Sequence, residues 1–190
     1  MQILETDIPG VRIIEPKKFG DHRGFFMETY SSPRLAEAGI TDHFVQDNHS
    51  LSASAGTLRG LHCQRPPHAQ AKLVRVTRGR VLDVAVDARQ GSPTFGQHVA
   101  VELDPDSARQ LYVPFGFLHG FVTLEPDTEF LYKVSDVYAP DCDTGVRFDD
   151  PDLAIDWRLG GREPILSDKD AKLVAWRDFD SPFTYQSEVA

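Results

Sequence analysis

The chain has 190 residues, 41% of them hydrophobic and 26% charged, with 29 acidic against 20 basic side chains for a formal net charge of -9. That length supports one substantial core and is short for two, so a single domain over residues 1–190 is expected. The acidic balance argues against broad electrostatic binding to nucleic acid or an anionic membrane, and any anionic ligand must meet a local basic pocket.

The opening stretch, MQILETDIPGVRIIEP, has acidic residues and a proline where a secretory signal needs a basic end and an apolar run. No run of about 18 apolar residues occurs anywhere. The expectation is a cytoplasmic protein with no membrane partner, its two cysteines, Cys63 and Cys142, kept as reduced thiols. Residues 3–14 read as an edge segment suited to exchange with a second copy. In DHRGFFMETY, Arg23, Phe26 and Glu28 fall within six positions. A guanidinium, a ring and a carboxylate so close can hold a nucleotide, or form an ordinary strand with an exposed ion pair. One short helix is expected over Pro33–Ala38, with Ser31 or Ser32 as cap, proline in the first turn and Gly39 as stop.

Residues 46–64, QDNHSLSASAGTLRGLHCQ, pack Gln46, Asn48, Arg59 and His62 into the densest polar cluster of the chain. Beyond it, short apolar runs bounded by Gly, Pro, Asp and Ser predict strands: KLVRV from Lys72, VLDVAVD from Val81, HVAVEL from His98, RQLYV from Arg109, GFVTL from Gly120 and TEFLYKV from Thr128. In VLDVAVD, Leu82, Val84 and Val86 face one way while Val81, Asp83 and Ala85 face the other. Their even succession predicts an all-β sandwich or jelly-roll barrel. Such a barrel can point its polar residues into a cup, and His62, Lys72 and Asp83 are placed for it. Asp83 is the natural partner of a buried Lys72; alternatively, Lys72 stands free to meet a developing oxyanion. VPFGFLHGF reads P-x-G-x-x-H over Pro114, Gly116 and His119, similar to the second motif of cupin barrels. The first cupin motif would carry H-x-H and a later glutamate. Here His62-Cys63-Gln64 has no glutamate before Gly79, so no metal site is expected. Tyr132 shares a strand face with Phe130 and Val134, where an aromatic is more often core. A second short helix is expected near Asp168–Ala175, and the polar tail from Pro151 is expected to wrap the barrel.

Taken in order, D-x-R-G-x-F at Asp21–Phe26, QDNHS and LRGLHCQ within residues 46–64, QAKLVRVTRGRVLDVAVDAR, SPTFG, VPFGFLHGF, the LYK of Tyr132, DPDLAIDW and LSDKD resemble the dTDP-4-dehydrorhamnose 3,5-epimerase family. The resemblance implies a cupin-like jelly roll with short peripheral helices, free of metal and cofactor and usually a homodimer. Its substrate would be a dTDP-linked 4-keto-6-deoxyhexose, on the route to dTDP-L-rhamnose. It also implies a catalytic set of His62 as base, Asp170 as its partner, Lys72 at the keto oxygen and Tyr132 as the acid on the opposite face. Arg23, Phe26, Glu28, Gln46, Asn48, Arg59, His119, Tyr138, Asp143 and Lys169 fall where the family binds substrate. Asp143 stands where relatives often have glutamate, and Cys63 where they often have an aromatic residue.

The chemistry requires these types. Carbons 3 and 5 of the sugar both flank the ketone, so either deprotonation places charge on one oxygen that Lys72 can stabilise. Inversion needs a base and an acid on opposite faces, and a carboxylate behind the histidine would fix its tautomer. Two other outcomes remain open: epimerisation at carbon 3 or carbon 5 alone, and a non-catalytic cupin that only binds sugar nucleotides.

Overall fold

The computed structural model describes residues 1–186. Its first half contains β1 (Gln2–Glu5), β2 (Arg12–Glu15), β3 (Lys18–Asp21), β4 (Gly24–Met27), α1 (Ser32–Glu37), β5 (Gln46–Ser52), β6 (Leu58–Gln64), β7 (Lys72–Arg78), β8 (Val81–Asp87) and β9 (Arg89–Gln90). The second half adds β10 (His98–Leu103), β11 (Gln110–Val113), β12 (Phe117–Thr123), β13 (Thr128–Val134), β14 (Asp143–Gly145) and β15 (Phe183–Thr184). Two antiparallel sheets carry the structure, one of six strands in the order β1-β2-β11-β7-β13-β5, the other of five in the order β10-β8-β12-β6-β14. Val74, Val76, Leu111, Val113 and Phe130 of the first meet Val81, Ala85, Phe117 and Phe121 of the second in a shared core. This is the expected all-β, cupin-like jelly roll.

The alternation read from VLDVAVD holds, yet every residue of β8 is buried. Val81, Asp83 and Ala85 face inward, whereas Leu82, Val84 and Val86 join an outer cluster with Leu153, Trp157 and Phe179. The polar tail therefore wraps the five-stranded sheet, and Trp157 Nε1 donates to the Phe148 carbonyl at 2.7 Å. A strand covered on both faces has no polar side, which is why only Asp83 and Asp87 interrupt it.

α1 begins one residue earlier than expected, with Ser31 as N-cap and proline in its first turn. Gly39 has a φ of 79°. Its N–H donates to the Ala36 carbonyl at 2.9 Å, and Ile40 N–H donates to Leu35 at 3.0 Å, which closes the helix end as a Schellman turn. Leu35 and Ile40 pack with Ile14, Leu73 and Tyr112 on the outer face of the six-stranded sheet.

Three further expectations change. β5 and β6 are regular strands inside the stretch read only as a polar cluster, and β12 starts at Phe117 rather than Gly120. The expected helix near Asp168–Ala175 is a single 3-10 turn, Asp170–Lys172, because Val174 is drawn into an extended bridge with Val146. The N-terminal segment pairs within its own chain, Ile3 opposite Ile14, and leaves β1 as an open sheet edge. No helix among the described residues is long and apolar enough to cross a membrane.

Candidate active site

A bulge in β6 creates the polar wall of the cup. Residues three apart on a regular strand face opposite ways, yet Arg59 pairs with Phe121 and His62 with His119, which are only two apart on β12. The extra residue in β6 turns Arg59 and His62 to the same side. Gly60, with a φ of 113°, makes the bulge feasible, since a Cβ there would lie 2.6 Å from Gly120 Cα. Gly120 answers from the other strand, where a Cβ would meet the Arg59 carbonyl at 2.8 Å.

The resulting cavity, about 260 Å³, is lined by Ser50, Arg59, His62, Lys72, His119, Phe121, Phe130, Tyr132, Ser167 and Asp170. An adjoining hollow of about 140 Å³ shares His62, Lys72 and Tyr132 and adds Gln46, Asn48, Tyr138 and Asp143. Ten of the fourteen residues read from the sequence as site residues thus line one continuous cup, or eleven with Lys169, which pairs with Asp143.

His62 Nε2 lies 2.5 Å from Asp170 Oδ1, and neither atom has another hydrogen-bond partner among the described residues. Asp170 is 4% exposed. Burial raises its pKa, but the contact with His62 and the Ser167 hydroxyl outweigh this and hold the carboxyl below the usual range. The tail makes the pair possible: Leu58 N–H donates to the Ile165 carbonyl at 3.0 Å and Arg147 N–H to Val174 at 2.9 Å, clamping the segment between them across the cup.

Asp83 is not the partner of Lys72. Its two oxygens each lie 3.0 Å from His119 Nε2, a buried pair on neighbouring strands of the five-stranded sheet. Burial lowers the His119 pKa despite that carboxylate, which favours the neutral ring. Lys72, enclosed from the opposite sheet, has no hydrogen bond or ion pair among the described residues. Burial drives its pKa below the ordinary lysine value, and the Asp143 and Asp83 carboxylates offset only part of that. Tyr132, also on the opposite sheet, has its pKa raised by burial. At the mouth, Tyr138 Oη donates to Asp143 Oδ2 at 2.9 Å, Lys169 pairs with the same carboxylate, and Gln46 Nε2 donates to Asn48 Oδ1 at 2.8 Å. Cys63 is buried, its thiol pKa pushed up to about 12.

Arg23, Phe26 and Glu28 stand apart from the cup of their own chain. They sit on or beside the β3–β4 hairpin, where Arg23 pairs with Asp21 at 2.5 Å and Glu28 with Arg34 at 3.4 Å, and Phe26 is 71% exposed. Ser50 and Ser167 were not singled out from the sequence. The spacing S-x-x-D from Ser167 to Asp170, a turn-capping pattern, was the available signal. Among the described residues no cluster of three His, Cys, Asp or Glu side chains could hold a metal ion.

A family model described as dTDP-4-dehydrorhamnose 3,5-epimerase matches residues 5–178. The protein so named from Pseudomonas aeruginosa is 50% identical over 181 residues, covering 95% of this chain and 98% of the relative. The solved dTDP-6-deoxy-D-glucose-3,5-epimerase of Legionella pneumophila, in complex with dTDP-4-keto-L-rhamnose, is 48% identical, with a TM-score of 0.93 over 98% of this chain and 99% of that one. A 3'-monoepimerase from Streptomyces bikiniensis, solved with dTDP-quinovose, is 35% identical, with a TM-score of 0.84 over 90% of this chain and 86% of that one. With a match that runs through both sheets and through the segment carrying Asp170, the chain belongs to the dTDP-4-dehydrorhamnose 3,5-epimerase family.

Proposed function

We propose that the protein is a cytoplasmic, homodimeric epimerase that inverts carbons 3 and 5 of dTDP-4-dehydro-6-deoxy-D-glucose to give dTDP-4-dehydro-L-rhamnose. One observation carries the reading: His62 and Tyr132 project into one cavity from the two facing sheets. A sugar ring between them has a base on one face and an acid on the other, as inversion requires.

With Nε2 turned to Asp170, His62 offers Nδ1 to the proton on the carbon beside the ketone. The electron pair moves onto the carbonyl oxygen, and the unpaired Lys72 ammonium stabilises the enolate. Tyr132 then delivers a proton from the other face. Its raised pKa keeps the phenol protonated until that step. The imidazolium and tyrosinate return to neutrality through solvent before the second carbon reacts. Oxidation state does not change, so the inversion needs no redox partner. Arg59 and Lys169 are the cations for the diphosphate, while Gln46, Asn48, His119, Tyr138 and Asp143 shape the sugar and nucleotide site. Arg23, Phe26 and Glu28 are assigned to the cup of a second copy, a reading supported by their exposure and by their absence from the lining of either hollow in their own chain.

The likeness to a 3'-monoepimerase supports a second reading, inversion at one carbon. Proton NMR of the 4-keto-6-deoxyglucose nucleotide in deuterium oxide separates the two. Deuterium is expected at both carbons with the wild type and at neither with His62→Ala. Exchange at one carbon would establish the single epimerase, and binding without exchange would remove the enzyme reading.

A further inference from the structure

We propose that Ser167 is a positioning residue of the proton-transfer centre, locking the Asp170 carboxylate that orients His62. The inference rests on the reading of His62 as the base.

The lock is reciprocal. Ser167 Oγ donates to Asp170 Oδ2 at 2.7 Å and accepts from the Asp170 backbone N–H at 3.1 Å. One hydroxyl thereby restrains both the side chain and the main chain of the same residue. Asp170 Oδ1 is left for His62 alone. A carboxylate rotates freely about its last torsion unless both oxygens are engaged, and the imidazole inherits that freedom. No other side chain hydrogen-bonds Oδ2 among the described residues, and the Gly60 backbone N–H is the further group that helps hold the carboxyl low. The backbone around Ser167 is itself fixed, because Ile165 N–H donates to the Gly56 carbonyl at 2.8 Å and Ala171 N–H to the Ser167 carbonyl at 3.1 Å. The hydroxyl is thus held at the cavity wall by the strap rather than by the substrate.

Losing this donor has two effects. The carboxylate samples orientations that turn His62 away from the sugar, so kcat falls. The hydrogen bond also helps hold Asp170 below the usual carboxylate range, so without it the carboxyl gives up its proton only at higher pH. Asp170 must be ionised to orient His62, so the acid limb of the rate profile moves to higher pH.

Ser167→Ala is expected to lower kcat about tenfold with KM changed less than about twofold, shift the acid limb of kcat/KM upward, and recover in Ser167→Thr. If the alanine variant folds poorly, Ser167→Cys keeps the bulk, weakens the donor and reads the same shift. An unmoved acid limb would overturn the proposal, as would a change mainly in KM, which would make Ser167 a substrate contact, or a threonine variant as slow as alanine. His62→Ala run alongside separates the two levels: full activity there sinks the base itself, whereas an inactive His62→Ala with a normal Ser167→Ala sinks only the positioning role.

Discussion

Lys72 is a charge the fold encloses without answering. Its ammonium faces the cavity with no ion pair, and burial holds its pKa below the ordinary value. Between that lowered value and the unfolded one, near 10.4, the unfolded chain binds more protons, so stability rises with pH across this window. Replacing the lysine removes the cost at neutral pH. Lys72→Met is expected to melt a few degrees higher, a gain of about 1 kcal/mol that shrinks as pH rises through the window, while kcat falls about 100-fold or more for want of an oxyanion partner. Calorimetry and steady-state rates check both, and a destabilised or fully active variant would refute the account. The sequence left Asp83 open as the partner of Lys72. Strand alternation shows which residues share a face but not which neighbours meet across it. In the folded sheet Asp83 stands opposite Phe121 and reaches diagonally to His119.

The bulge in β6 is the element on which the site turns, because Arg59 and His62 share a face only through the extra residue between them. Gly120→Ala would set a Cβ against backbone on the facing strand, which cannot yield as a side chain would. The variant is expected to lose about 2 kcal/mol of stability or more and to lose activity beyond that, as the two side chains leave register. Denaturant unfolding beside kcat/KM tests this; wild-type values in both would show the contact to be soft. β8, β10 and β13 were legible because apolar runs bounded by turn residues mark them in any context. β5 and β6 were not, since their inward side chains are the polar ones that meet substrate, and function there overrides the strand signature. A bulge is hidden for another reason: it exists only relative to a partner strand, and one strand's sequence carries no register. The site residues were legible chiefly as long strings in a fixed order, whereas their convergence depended on the tail folding back.

At the scale of the whole molecule, Phe19, Phe25 and Phe26 on the β3–β4 hairpin are 54%, 63% and 71% exposed. Three large apolar rings on one projecting hairpin are costly to leave in water and suit burial against a second copy. Light scattering at micromolar concentration is expected to give twice the 21.2 kDa chain mass; a monomer would refute the dimer and the assignment of Arg23 and Phe26 to a neighbouring cup. The fold class was visible in the punctuation of the chain, but the hairpin's reach was not, because a ring destined for a partner and a ring destined for the core look alike in sequence. The clamped strap has a consequence for biosynthesis. His62 lies on β6, early in the chain, and Asp170 near its other end, so a ribosome exposes the histidine long before the carboxylate that orients it. The same late stretch carries Leu153, Trp157 and Phe179, which cover the five-stranded sheet. A chain stalled before it is therefore both without its proton-transfer pair and apolar on one side, a target for chaperones and proteases. Activity and clearance are decided by the arrival of one segment.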